Sequence, residues 1–250
     1  MFVGADGCKA GWFAILLTEN RDWEVGVFTN VFELWNKYRS TLLILLDIPI
    51  GLREKGPEER KCDKRARELL GPKRASSIFP VPCRPAIYAD SYEKACDINK
   101  QMTGRGLSLQ TWNIIPKIRE VDILLSEDES ARSRIREIHP EICFWALAGG
   151  HPMEHSKKER EGLLERKKIL ESVYPWTGDI VEYALSTYRR KDVKEDDVLD
   201  ALSAAVTAVV GVHNLVSIPD ESEFDSYGLP MEMVYRPYHK NCEILYRDAK

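Results

Sequence analysis

TLLILLDIPIG, residues 41–51, is the stretch that decides the fold class. Its first six residues form an almost unbroken apolar run, which is typical of a strand buried on both faces of a parallel or mixed sheet. Asp47 ends the run, and Pro49 and Gly51 stop the strand. Because ligands of open α/β sheets bind outside the carboxyl ends of the strands, Asp47 is a candidate site residue. An aspartate at this position is about as often only a turn residue.

The segments before this strand predict an antiparallel meander followed by a helix. The strand-like segments are joined by short connections and cover residues 2–5, 12–18 and 24–29. Residues 31–39 have the apolar spacing of a helix. The resulting β-β-β-α-β order predicts that residues 2–6 and 42–47 form neighbouring strands.

Three further aspartates accompany apolar segments. Asp6 follows the first strand in FVGADGCKAGW, residues 2–12. Asp197 and Asp200 lie three apart in EDDVLDALSAAVTAVV, residues 195–210, where we predict a long helix over about 196–212. Acids in a first turn also stabilise the helix dipole, so a solvated helix start is the alternative. Two strand ends and one helix start can bring four carboxylates together.

A converging set of carboxylates is a typical site for a hard divalent cation. Two such ions about 4 Å apart can activate a water and stabilise the leaving oxygen of a phosphodiester. We therefore expect Asp6, Asp47, Asp197 and Asp200 to hold Mg²⁺ or Mn²⁺. Glu141 is a candidate extra ligand, and Lys117 can neutralise charge on a phosphate. His139 either carries a proton or is satisfied by the backbone at a strand end.

The region from Leu52 to Ser130 contains no convincing strand and is interpreted as a helical cap inserted into a single domain of residues 1–250. Helices are predicted at residues 57–70, 88–102 and 116–125. The Pro-rich stretch SSIFPVPCRPA, residues 76–86, is predicted to be irregular.

Basic residues are concentrated in the first part of this insertion. From Arg53 to Arg84 there are ten basic and five acidic residues, which predicts a phosphate-binding patch facing the acidic site. A solvated helix face with ion pairs is the alternative. The candidate phosphate-binding residues are Arg60, Arg67, Ser76, Ser77 and Arg84, and Trp112 is a candidate for stacking on a base. Packing against the core is the competing role for each of them.

The remainder of the chain predicts a short strand at residues 136–139, helices at 156–172 and 175–189, and a strand-like piece at 232–236. For residues 141–147 the sequence does not decide between a continuation of the strand at 136–139 and the start of a helix. Lys157 and Lys158 are interpreted as a solvated helix face.

The composition indicates a globular protein, with 44% hydrophobic and 30% charged residues among 250. No apolar run approaches the ~20 residues that span a membrane, and the first residues are strand-like, so we expect a cytoplasmic protein without a leader. The six cysteines (Cys8, Cys62, Cys83, Cys96, Cys143, Cys242) form no CxxC pair and are expected to be small buried residues. The absence of P-loop, GxSxG, HExxH and GxGxxG motifs argues against those enzyme classes.

Seven motifs in order along the chain resemble an uncharacterised family predicted to have an RNase H-like nuclease fold. They are VGADGCKAGW (3–12), LLDIPIGL (45–52), RxCDxxAR (60–67), SSIFPVPCR (76–84), QxWxIxPKIxEVD (110–122), EIHPEICF (137–144) and DDVLDALSAA (196–205). The late DVLDAL is also similar to the DxxDAL helix of Holliday-junction resolvases. The resemblance implies an α/β fold with a mixed five-stranded sheet, helices on both faces and an acidic two-metal site made by the four aspartates.

These observations favour a metal-dependent nuclease acting on nucleic acid or another phosphorylated substrate. The alternatives are a non-catalytic nucleic-acid-binding or regulatory protein with the same fold, and a phosphotransferase or ATPase. Phosphotransferases and ATPases of this fold normally need two such domains and Gly-rich phosphate loops. This chain has room for only one such domain.

Overall fold

A five-stranded mixed sheet forms the centre of the protein, which a computed structural model describes over residues 1–211 and 213–237. Its strands are β1 (Phe2–Cys8), β2 (Gly11–Leu17), β3 (Trp23–Phe28), β4 (Leu43–Leu46) and β5 (Ile135–Glu137), in the order β3-β2-β1-β4-β5. The first three are antiparallel neighbours, and β4 runs parallel to both β1 and β5. The predicted mixed five-stranded sheet and the pairing of β1 with β4 are therefore confirmed.

Ten helices surround the sheet within the described residues. They are α1 (Val31–Tyr38), α2 (Lys61–Arg74), α3 (Arg84–Ile87), α4 (Tyr92–Thr103), α5 (Leu109–Glu127), α6 (Glu129–Arg134), α7 (Pro140–Leu147), α8 (Arg160–Val173), α9 (Thr177–Thr187) and α10 (Glu195–Gly211). The predicted last helix is confirmed as α10, although its predicted end at Val212 lies outside the described residues, as does Cys242. None of these ten helices has both the length and the apolar character that crossing a membrane requires.

The central helix α10 packs directly on β1. Every residue from Val198 to Gly211 is buried, so this helix is enclosed on all sides. Close approach is possible because Gly4 of β1 has no side chain. A Cβ placed there would lie 2.0 Å from the backbone nitrogen of Ala205 and 2.4 Å from the carbonyl oxygen of Ala201. Backbone atoms of β1 and α10 therefore contact each other directly. No side-chain rotation could relieve a steric clash at this position.

Replacing Gly4 by Ala is expected to lower the free energy of unfolding by about 3 kcal/mol, the upper part of the usual cost of overpacking. Gly106→Ala is the control, because a Cβ there meets no atom within 4 Å. We expect the control to change stability by less than about 1 kcal/mol. Urea denaturation of both variants measures the difference, and equal stabilities would contradict this account of the packing.

The insertion has a larger structural role than the predicted cap. Residues 52–130, all of which the structure describes, contain no strand, as predicted. However, α5 does not cover only the site: Ile115, Ile118 and Val121 are buried in the same apolar cluster as Val3 and Ile44 of the sheet. The second face of the sheet needs a cover besides α1, and α5 supplies it.

Three local predictions differ from the structure. The helix predicted from Pro116 begins earlier, at Leu109, with the Ser108 hydroxyl accepting from the backbone N–H of Thr111. The Pro-rich stretch contains a 3₁₀ turn at Ala75–Ser77 and the short helix α3, where Pro85 occupies the first turn and its missing N–H costs nothing. Finally, β6 (Val216–Phe224) pairs with β7 (Pro230–Tyr235) in a separate two-stranded sheet, of which only β7 was predicted.

Candidate functional site

Three aspartates meet where β1, β4 and α10 come together. Asp6 lies near the end of β1, Asp47 directly follows β4, and Asp200 lies in the second turn of α10. The backbone N–H of Asp47 donates to the carbonyl of Ala5 at 3.0 Å, which places Asp47 beside Asp6. One carboxylate oxygen of each aspartate lies within 4.8 Å of the others. We call Asp6, Asp47 and Asp200 the acidic triad.

Burial and mutual repulsion make ionisation of the acidic triad unfavourable. Burial raises the pKa of Asp47 to about 8, and the Asp200 carboxylate adds to the shift. Burial, followed by the charges of Asp47 and Asp200, raises the pKa of Asp6 well above its usual value. The pKa of Asp200 is also raised by burial, against the opposing effect of Lys157. Three such acids need protons or a cation between them.

Lys157 provides part of the positive charge that the acidic triad needs. Its Nζ donates to Asp200 Oδ2 at 2.5 Å, and within residues 1–211 and 213–237 it is the one lysine or arginine ion-paired with the acidic triad. It lies in the connection between α7 and α8, not on the helix face to which the sequence assigned it. Because the connection between α7 and α8 has no periodic apolar pattern, nothing in the sequence indicated the ion pair between Lys157 and Asp200.

A cavity of about 630 Å³ opens beside the acidic triad. Asp6 and Asp47 line it, whereas Asp200 is 1% exposed and lies beneath Lys157. The other predicted site residues that line the cavity are Arg60, Ser76, Ser77, Lys117, Glu141 and Asp197. The cavity therefore combines residues of the sheet, the insertion and α10.

The family comparison matches residues 4–223, a range that contains all of these residues, to a family described as "Protein of unknown function (DUF429)". The chain belongs to the DUF429 family. No curated protein and no solved structure matches it. The DUF429 match establishes the family, and its description names no reaction.

Lys117 of this DUF429 chain lies against the β1–β2 turn. A Cβ on Gly7 would lie 2.8 Å from both Cδ and Cε of Lys117, so the glycine following Asp6 makes room for the lysine. Lys117 forms no ion pair among the described residues and lines the cavity. Its positive charge is thus available to a ligand beside Asp6.

Asp197 and Glu141 line the same cavity without joining the acidic triad. Asp197 Oδ2 accepts from the backbone N–H of Lys194 at 2.8 Å, the helix-start role that was the alternative for this residue. Burial raises its pKa to about 6. Glu141 pairs through Oε1 with buried Arg166, while its buried Oε2 has no hydrogen-bond partner in the described part of the chain. The predicted cluster of four aspartates is therefore three aspartates with two nearby acids.

His139 has a structural role. Its Nδ1 accepts the backbone N–H of Glu141 at 3.2 Å and so caps the start of α7. Burial, with help from the charge of Lys157, lowers its pKa to about 3. The imidazole is neutral at physiological pH, and the backbone satisfies its hydrogen bonding. This agrees with the interpretation of His139 as a residue satisfied by the backbone and not as a proton carrier.

Arg60 is not free to bind a phosphate, contrary to the sequence interpretation. It is 2% exposed, and its guanidinium donates to both carboxylate oxygens of Asp63 and of Glu137 at 2.6–3.0 Å. Its Nη1 also donates to the carbonyl of Ile50, just beyond Asp47. Arg60 therefore fixes the loop after β4 from below the cavity.

Arg67, Arg84 and Trp112 do not line the cavity, so the structure does not bring these three predicted substrate-binding residues to the acidic triad. Arg67 pairs with Glu59, and Arg84 is buried with Asp122 and Asp225. Trp112 packs edge-on against Tyr92 on the flank of the core. Glu59 of the same segment neutralises Arg67, and acids farther along the chain neutralise Arg84, so the expected basic patch reaches the cavity mainly through Lys73 and Arg74.

The raised pKa of Asp47 predicts how stability depends on pH. An unfolded aspartate titrates near pH 4, whereas folded Asp47 titrates at about 8. Its stabilising contribution is complete below about pH 4 and is lost as the pH rises to about 8. In metal-free protein, Asp47→Asn should therefore gain stability over the wild type as the pH rises from about 5 to about 8. Urea denaturation with a chelator measures this, and a pH-independent difference would contradict the pKa shift.

Proposed function

We propose that the protein is a nuclease that hydrolyses phosphodiester bonds with the help of Mg²⁺ or Mn²⁺. The observation that carries the proposal is the acidic triad, whose carboxylate oxygens lie within 4.8 Å of one another beside a cavity of about 630 Å³. Carboxylates that converge in this way, two from neighbouring strands and one from a helix, are the donors that hard divalent cations prefer. The five-stranded sheet supports the same proposal, since it is the architecture that the RNase H-like resemblance implies.

The residues present fit a divalent cation. Burial, and then the charges of neighbouring triad members, raise the pKa values of Asp6 and Asp47, so a cation between them would stabilise their charged forms. The unpartnered Oε2 of Glu141 is a further buried acceptor beside the triad. A cation shared by Asp6, Asp47 and Asp200 would stabilise their charged forms and take over the carboxylate that Lys157 now holds.

A bound divalent cation would lower the pKa of a water molecule and stabilise the charge on the reacting phosphate. The chain's own residues would orient the substrate around it. Lys117 can bind a phosphate oxygen beside Asp6, and Lys157, once released from Asp200, can bind another from the cavity wall. Asp197 Oδ1 can accept a proton near neutral pH, because the pKa of this residue is about 6.

A non-catalytic nucleic-acid-binding or regulatory protein is the second candidate. The observation that favours it is the Lys157–Asp200 ion pair, because a lysine that permanently neutralises the triad would exclude the cation. A phosphotransferase or ATPase remains the weaker alternative, as the sequence has no Gly-rich phosphate loop.

Cleavage assays with and without metal separate these candidates. The purified protein is incubated with Mg²⁺ or Mn²⁺ and a panel of single- and double-stranded RNA and DNA, and a chelator provides the control. We expect cleavage that requires the metal. Binding of nucleic acid without cleavage would support the second candidate, and turnover of nucleoside triphosphates would support the third.

A further inference from the structure

One face of α5 lines the cavity from its rim to the acidic triad. Gln110, Asn113, Ile114 and Lys117 follow the i, i+3, i+4, i+7 spacing of a single helix face, and all four line the cavity. Gln110 and Asn113 are exposed, whereas Lys117 is half-buried beside Gly7. From Gln110 to Lys117 this face spans about 10 Å. It therefore connects solvent to the point where a phosphate would react.

The two amides on this face have unused hydrogen-bonding capacity. The side chains of Gln110 and Asn113 form no hydrogen bond with any described residue. Each amide offers one acceptor oxygen and two donor hydrogens, the combination that recognises the edge of a nucleobase. Their position at the rim places this capacity about two helical turns from Lys117.

The Pro-rich segment supplies apolar surface to the same cavity. Phe79 and Val81 both line the cavity and are half-buried, and Pro80 and Pro82 restrict the backbone between and beyond them. An aromatic ring on a stiff segment is suited to stacking on a base of any sequence. Phe79 and Trp112 both pack against the same apolar cluster, but only Phe79 also lines the cavity, so Phe79 is the aromatic residue placed for this contact.

We propose that the cavity binds a single unpaired nucleotide unit, with its phosphate at Lys117 and the acidic triad and its base against Phe79 and the amide face of α5. This inference rests on the proposed nuclease function and specifies its substrate class. A volume of about 630 Å³ lies within the range of pockets for small ligands. A base paired inside a duplex would first have to leave the stack to enter. The nucleotide unit belongs either to a short free phosphodiester or to an unpaired strand.

Kinetics with three substrates test the inference. The substrates are a dinucleotide, a single-stranded oligonucleotide and a covalently closed duplex circle, each with Mn²⁺. The circle should remain intact, and cleavage of the dinucleotide would distinguish a free phosphodiester from a requirement for a longer strand. Phe79→Ala and the double variant Gln110→Ala/Asn113→Ala should each raise KM about tenfold, as expected for the loss of one stacking or edge contact.

Matched variants keep the comparison specific. Phe224→Ala removes a ring that is 66% exposed and does not line the cavity, and Gln101→Ala removes an exposed amide of α4. Both should leave KM unchanged. Nicking of the circle as fast as cleavage of the oligonucleotide, or an unchanged KM in the Phe79 and amide variants, would overturn the inference while the nuclease function stands.

Failure of the nuclease proposal gives a different result. If no substrate is cleaved, equilibrium binding of the dinucleotide and of the single-stranded oligonucleotide is measured by calorimetry instead. Binding that weakens about tenfold in Phe79→Ala but not in Phe224→Ala would support the nucleotide site without hydrolysis. No detectable binding, or equal binding by both variants, would overturn it.

Discussion

Asp47→Asn is expected to reduce metal-dependent phosphodiester cleavage by about a thousandfold or more and to leave the fold intact. The expectation follows from the several kcal/mol of transition-state stabilisation that a bound cation supplies, since each 1.36 kcal/mol changes a rate tenfold. Asparagine has nearly the same shape as aspartate but removes the negative charge that would hold the cation. Because it also removes repulsion within the acidic triad, the metal-free variant should be at least as stable as the wild type.

Initial cleavage rates across a range of Mg²⁺ and Mn²⁺ concentrations, with circular dichroism as the check on folding, measure this effect. The control is Asp179→Asn, which removes an exposed carboxylate from the first turn of α9, a residue that does not line the cavity. Its rate should match the wild type. Full Mg²⁺-dependent activity of Asp47→Asn on the RNA and DNA panel would show that the reacting site lies elsewhere.

Arg60→Ala should lower the free energy of unfolding by about 3–5 kcal/mol, the usual cost of removing one partner from a buried ion pair. The residue lies between Asp63 and Glu137, which are 1% and 2% exposed, so its loss leaves two buried acids without compensation. The effect should be large even though Arg60 contacts no substrate in our account.

Arg65→Ala is the matched control, because Arg65 lies in α2, the helix that begins directly after Arg60. Arg65 pairs with Glu68, and both side chains are at least half exposed. An exposed pair of this kind contributes less than about 1 kcal/mol. Urea denaturation of both variants gives the comparison. If Arg60→Ala were as stable as Arg65→Ala and lost only substrate binding, the original phosphate-binding interpretation would be restored.

The parts of the site that lie on regular elements could be predicted from the sequence. Asp6 and Asp47 end apolar strands, and Asp200 follows Asp197 by three residues on a helix. These patterns placed each residue at the end of an element, and the RNase H-like resemblance implied that the elements meet. The start of α5 was missed because Pro116 resembled a first-turn proline, although Ser108 is the true N-cap. The spacing of Gln110, Asn113, Ile114 and Lys117 would have revealed the cavity-facing side of this helix.

Contacts between distant charges could not be predicted in this way. The number of arginines in residues 53–84 indicated a basic surface, but the acids that neutralise Arg60 and Arg84 lie as far along the chain as Glu137 and Asp225. Lys157 reaches Asp200 from a connection with no periodic pattern. The net charge of a segment indicates the charge of the surface that it forms only when the ion-pair partners of its residues lie in the same segment.

The burial of α10 against β1 has a consequence for the newly made polypeptide. The strands β1, β2 and β4 are synthesised early, but the helix that covers one face of them, and that carries Asp200, is made near the end of the described chain. Until then the ribosome-bound chain exposes an apolar sheet face and holds at most Asp6 and Asp47. The acidic triad is therefore completed only after α10 has been synthesised, so a nascent chain that ends before this helix lacks one of the three carboxylates on which the proposed cation site depends.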